Sequence, residues 1–344
     1  MKPLRMKKIR NMICVVVLIA AVYIIIVNFV YAENLGYFVG DVFVGVTPPA
    51  GDVYVSAFSQ EGIDWEIAYW SGMIAEYTYA KASYPTENFA LTTLGFTTGR
   101  FYSFFELEGA QQEDLMVDVG VKEVYWEGDS FTLVVFAFRG SVPLALNSPT
   151  TRENMRRNMD FFPQPWRGSS VTVHRGFYGQ YNDFVQYILP EVNERLGLDI
   201  LQNEAGAYQD VKIWITGHSM GAALAELFAL DLIENGLPPE RVMAYGFATP
   251  LVANQSLRER AESVGASCRI FRIVHRRDMV GVVGYGVLRG RSLALDENNI
   301  IFGNRGMLNR SHHSLPRVYV PFVISQNDDM RRAEMETSLV VEDM

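Results

Sequence analysis

The stretch VKIWITGHSMGAALAELFALDL, residues Val211 to Leu232, decides the fold. Val211–Thr216 is an apolar run of strand length, and Ala222–Glu234 continues as an apolar helix that stops at Asn235-Gly236. Between them, Gly217-His218-Ser219-Met220-Gly221 fits G-x-S-x-G, a serine on a sharp turn from strand to helix. Such a turn leaves no room for side chains two residues before and two after the serine. Gly217 and Gly221 supply that room, and Ala222-Ala223 let the helix start close to the sheet. Ser219 is therefore a candidate nucleophile, with Gly217 and Gly221 as the elbow that presents it.

Working outward, strand and helix patterns alternate. Val121–Tyr125 and Phe131–Phe138 read as strands around the turn Glu127-Gly128-Asp129. Phe177–Leu196 reads as a helix, Val242–Phe247 as a strand, Gln255–Val264 as a helix and Arg269–Val274 as a strand. Strands alternating with helices of this length imply parallel crossovers, so the expectation is an α/β protein with a mostly parallel sheet flanked by helices. Upstream, Trp65, Ala68, Tyr69, Gly72, Met73, Tyr77 and Ala80 fall at helical spacing. Residues 37–57 alternate around Pro48-Pro49 and Gly51, which predicts short strands and a turn. One domain is expected over 33–325, with a polar tail, 326–344, after it.

The chain of 344 residues has a formal net charge of −9, unevenly spread. Residues 1–32 hold five cations (Lys2, Arg5, Lys7, Lys8, Arg10) and no acid, leaving 25 basic and 39 acidic side chains in the rest. That acidic body excludes nucleic-acid binding, because it has no basic surplus to neutralise phosphates. Behind the cations, Met12–Ala32 is uncharged, with Asn28 the single strongly polar residue. Its 21 residues span about 31 Å as a helix, close to a bilayer core. Val30-Tyr31-Ala32 before Glu33 also reads as a cleavage site. The segment 1–32 is a cleaved signal peptide or an N-terminal hydrophobic helix anchoring the chain to a membrane, and either one exports residues 33–344. Cys14 lies in this segment and Cys268 alone in the body, so the exported part forms no internal disulfide.

A serine hydroxyl needs a base to take its proton. The five histidines are His174, His218, His275, His312 and His313. His174 is upstream, His218 adjoins Ser219 and cannot fold back onto it, and His275 ends an apolar strand. His312 and His313 lie beyond the core strands, where the order Ser…Asp/Glu…His puts the base. Asp278, a short loop past the strand ending at Val274, suits the acid that would hold the imidazole tautomer. For an oxyanion, Met220 offers the N–H after the nucleophile, and Arg139-Gly140-Ser141 offers a turn exposing that of Ser141. No His, Cys or carboxylate cluster has metal-ligand spacing, and no cofactor is expected.

Together these pieces resemble the fungal-type, class-three triacylglycerol lipases. The resemblance rests on Phe138-Arg139-Gly140-Ser141, Val173-His174-Arg175-Gly176-Phe177, Ile215–Leu232, Tyr245–Asn254 and Arg272–Val280, in the family's order over roughly 131–319. It implies an α/β-hydrolase-like fold, Ser219 as nucleophile, Asp278 as acid, and Ser141 with Met220 as the oxyanion pair. His313, succeeded by Ser314-Leu315 and then Tyr319, suits the family's histidine better than His312, and His174 matches a structural position. Gly281 stands where the family commonly has proline, and Ala222 where it commonly has a second glycine.

The resemblance implies an exported serine ester hydrolase acting on acylglycerols or other lipid esters, without metal or cofactor. A phospholipase or acyltransferase would use the same triad. A catalytically dead, membrane-tethered binding module is a third reading. Family members carry a lid helix after the oxyanion turn. Here Thr151–Trp166, with Met155, Met159, Phe161, Phe162 and Trp166, is either such a lid or a surface helix packed on its own core.

Overall fold

The computed structural model describes residues 48–59, 62–79, 88–107, 109–141, 149–201, 210–278, 280, 299–304 and 310–327. The hydrophobic leader and nearly all of the polar tail lie outside the described residues. Among the described residues, no helix is long and apolar enough to cross a membrane.

Seven strands form the central sheet: β1 (Thr97–Leu107), β2 (Ala110–Trp126), β3 (Asp129–Phe138), β6 (Val211–His218), β7 (Val242–Phe247), β8 (Ile270–His275) and β9 (Asn299–Phe302), hydrogen-bonded in that spatial order. A separate two-stranded ladder pairs β4 (Pro163–Pro165) with β5 (Thr172–His174). The first three strands of the sheet are antiparallel, and from β3 onward every pair is parallel. This is the mostly parallel sheet that the alternation of elements predicts, in the α/β-hydrolase-like form that the family resemblance implies.

Strand β3 shows why the parallel strands read as unbroken apolar runs. Val134, Phe136 and Phe138 enter one core, while Leu133, Val135 and Ala137 enter the other. Both faces of the sheet are covered, so alternation of polar and apolar residues disappears. On the first face lies the helix Met220–Glu234, whose Leu224, Leu227 and Phe228 are fully buried. Each such side chain contributes about 1.5–3 kcal/mol on transfer from water. Beside it, Arg175–Leu196 runs as one helix with a π turn at Phe184–Ile188. On the second face lies Trp65–Tyr77, started by Asp64, whose carboxylate accepts the N–H groups of Glu66 and Ile67 at 3.0 Å.

One expectation differs from the structure. Gly51–Ser59 is a helix, where alternation over 37–57 predicts strands. Its Tyr54, Ala57 and Phe58 are buried, at i, i+3 and i+4, the spacing of one helix face, so packing selects the helical period. Residues 37–47 are outside the described residues. Val121–Tyr125 is a strand as expected and lies within the longer, 17-residue strand β2, whose partner β1 carries no strong sequence signal.

Candidate active site

The parallel strands β3 and β6 end together, with Phe138 paired to Gly217. Past that edge the chain turns sharply at Ser219, whose φ of 58° and ψ of −127° are strained for a residue with a side chain. The strain is held by a hydrogen bond from the Ser219 N–H to the Phe247 carbonyl, 2.9 Å, and by the helix that starts at Met220. A Cβ on Gly217 would collide with the backbone of Gly221, and one on Gly221 with the Phe138 carbonyl. The two glycines are required by close approach, as the sequence pattern demands.

Asp278 is completely buried three residues past β8. Both its oxygens face His313 Nδ1, at 3.1 and 2.9 Å, and Oδ2 also accepts the Tyr319 hydroxyl at 2.5 Å. Burial pushes the Asp278 carboxyl up. The facing His313 and the hydrogen bonds from His313, Tyr319 and the Val280 N–H outweigh it, holding the pKa below the ordinary carboxylate value. The neighbouring His312 goes elsewhere, stacking on His275 with ring centroids 4.2 Å apart.

His218, discounted in the sequence because it adjoins Ser219, is part of this cluster. Its Nε2 lies 2.8 Å from the His313 carbonyl and its Nδ1 lies 2.9 Å from the Tyr79 hydroxyl. Burial first, and then the adjacent His313, lower its pKa to about 3. No periodicity or spacing marks a contact that spans 95 residues.

On the β3 side, Ser141 and Met220 are brought together: the Ser141 hydroxyl reaches the Met220 sulfur at 3.4 Å. Asn158 Nδ2 donates to the same hydroxyl at 2.7 Å. Asn158 ends the helix Pro149–Asn158, which comes after the turn where the sequence allows a lid. This helix buries Thr150, Thr151 and Asn154, and its Arg157 pairs with Asp114, Glu153 and Asp183. Met155 and Met159 are half-buried, Phe162 is exposed, and Trp166 is buried with its indole N–H on Glu234. His174 is a satisfied interior histidine: its Nδ1 accepts the Phe177 N–H at 3.2 Å and its Nε2 lies 3.2 Å from the Asn158 carbonyl. Burial lowers its pKa to about 4.

The fold is α/β-hydrolase-like, and it holds a serine on a strained elbow after a central parallel strand, with a buried aspartate bonded to a half-buried histidine whose carbonyl meets the elbow. Residues 135–285, which hold the elbow and Asp278, match the family model for lipase (class 3). Among curated proteins, the chain is 32% identical over 147 residues to rice phospholipase A1-II 6, covering 36% of this chain and 35% of that protein. It is 31% identical over 156 residues to the Rhizomucor miehei lipase, covering 44% and 38%. The chain thus spans little more than a third of the length of these curated relatives. Among solved structures, the native Rhizomucor miehei lipase propeptide complex matches with a TM-score of 0.44 at 20% identity, covering 71% of this chain and 78% of that one.

Proposed function

We propose that the protein is an exported serine ester hydrolase of lipase type, cleaving carboxylic esters of acylglycerols or related lipids through Ser219, His313 and Asp278. The observation that carries this reading is the seating of His313. Its Nδ1 is held by a buried carboxylate, while its carbonyl is bonded to the residue next to the strained Ser219. A carboxylate on Nδ1 fixes the tautomer that leaves Nε2 free of its proton, as a general base requires.

In this reading His313 takes the Ser219 proton as the hydroxyl attacks the ester carbonyl. The oxyanion lies toward the N–H groups of Ser141 and Met220, aided by the helix N-terminus. His313 protonates the departing alcohol, then activates the water that releases the acid. Asp278 stays ionised and steadies the imidazolium. The basic start and the apolar Met12–Ala32 support export. Membrane anchoring is the alternative use of that segment.

The test is hydrolysis of a soluble short-chain ester by the wild-type chain and by Ser219→Ala. Turnover that falls by roughly a thousandfold or more supports the proposal; unchanged turnover overturns it. A diacyl phospholipid substrate separates the phospholipase reading, which the rice relative favours, from the acylglycerol reading.

A further inference from the structure

Tyr79 lies outside the stretch that matches the lipase family, yet it reaches the candidate active site. It sits just past the helix Trp65–Tyr77 and contacts two of the three converging segments. Its hydroxyl bonds His218 Nδ1 at 2.9 Å, with the two rings edge to face at 5.8 Å. It also occupies the space above Gly140, where any Cβ would strike the Tyr79 oxygen and the His218 carbonyl. His218 in turn bonds the third segment, through the His313 carbonyl.

The chemistry of these partners fixes the proton. A carbonyl oxygen only accepts, so the 2.8 Å contact with His313 requires that His218 Nε2 carry the hydrogen. In a neutral ring Nδ1 is then the acceptor, and the Tyr79 hydroxyl donates to it. Both ring nitrogens are used, and neither is left to exchange protons with Ser219.

We infer that Tyr79 and His218 form a positioning pair: they lock His218 as its neutral Nε2–H tautomer, clamp the His313 backbone, and so aim the His313 ring at Ser219. This inference deepens the proposed hydrolase function and rests on it for its kinetic consequence. The pair also ties the Gly140 turn to the same unit, so one contact coordinates the turn bearing Ser141 with the base. The N-terminal helical segment thereby becomes part of the working site.

Two measurements test this. Long-range nitrogen–proton correlation spectra on the full folded chain read the His218 tautomer directly. The Nε2–H form should persist from pH 5 to 8, and Tyr79→Phe should broaden or shift Nδ1 without unfolding the chain. An Nδ1–H form in the wild type would overturn the inference, whatever the enzyme hydrolyses. The second measurement uses a soluble ester. His218→Leu removes the donor to His313 and should lower kcat about 30- to 100-fold with KM within about threefold. His218→Gln places an amide N–H near the Nε2 position and should recover most of that loss. A Gln variant as impaired as Leu, or a Leu variant with wild-type kcat, would show that the ring only fills space. If the wild type hydrolyses no ester, the hydrolase proposal fails while the spectra still decide the positioning.

Discussion

The phenol of Tyr319 donates to Asp278 Oδ2 at 2.5 Å, the same oxygen that faces His313 Nδ1 at 2.9 Å. Tyr319 in turn accepts the N–H of His275 at 3.1 Å, so the aspartate is tied to the end of β8 from two directions. Hydrogen bonds to a charged carboxylate are worth about 1.5–3 kcal/mol each, and they are directional.

Tyr319→Phe should therefore cost about 1.5–3 kcal/mol at neutral pH and reduce turnover roughly tenfold. The pH dependence has a definite sign. A carboxyl whose folded pKa is depressed contributes stability above its unfolded pKa and loses it as pH falls through the folded value. The deficit of the variant should be full at pH 7 and should shrink below the ordinary carboxylate value of 3.8. Urea unfolding at a series of pH values measures it. A deficit that stays constant down to pH 2 would count against the assigned charge.

The two consecutive histidines should behave differently. His313→Ala removes the partner of Asp278 and should reduce turnover by about a thousandfold or more. His312→Ala loses a stack on His275 and should keep most activity at a cost of about 1 kcal/mol in stability. Steady-state kinetics on both variants decide between them, and the reverse pattern would move the base by one residue.

Glu76 offers a prediction about stability alone. It is 5% exposed, and burial pushes its carboxyl up to about 7 from 4.5. The folded state holds its proton more tightly than the unfolded one, so Glu76 costs stability increasingly as pH rises from 4.5 to about 7. Glu76→Gln should match the wild type near pH 4 and exceed it by a few kcal/mol above pH 7. Melting temperatures that remain parallel across that range would contradict the burial argument.

Gly221→Ala tests the elbow itself. The added methyl would drive into the Phe138 carbonyl, a backbone group, with no flexible side chain to yield. Loss of more than about 3 kcal/mol is expected, with loss of soluble folded protein as its extreme form. A folded, active variant would show that the elbow tolerates a wider approach.

How much of this is legible in the sequence depends on where each signal resides. The strand–turn–helix from Val211 to Glu234 is local, and its glycines state a steric need that the backbone honours. Strand β1, with Gly99, Arg100 and Glu106 among its residues, pairs at the sheet edge and has no apolar run to announce it. The Asp278–His313 pairing is reachable in part: five histidines and the order along the chain leave His312 and His313, and only the family resemblance prefers His313. Tyr79, Asn158 and the use of His218 are not reachable. Each acts through a hydrogen bond to a distant backbone or side-chain group, and such contacts leave no periodicity.

The central claim is that Ser219 is an activated nucleophile. It is tested most directly by treating the folded chain with a fluorophosphonate and mapping the adduct by mass spectrometry. A single adduct on Ser219 is expected, lost in His313→Ala and after denaturation. No adduct in the folded protein, or one carried by another residue, would contradict that claim.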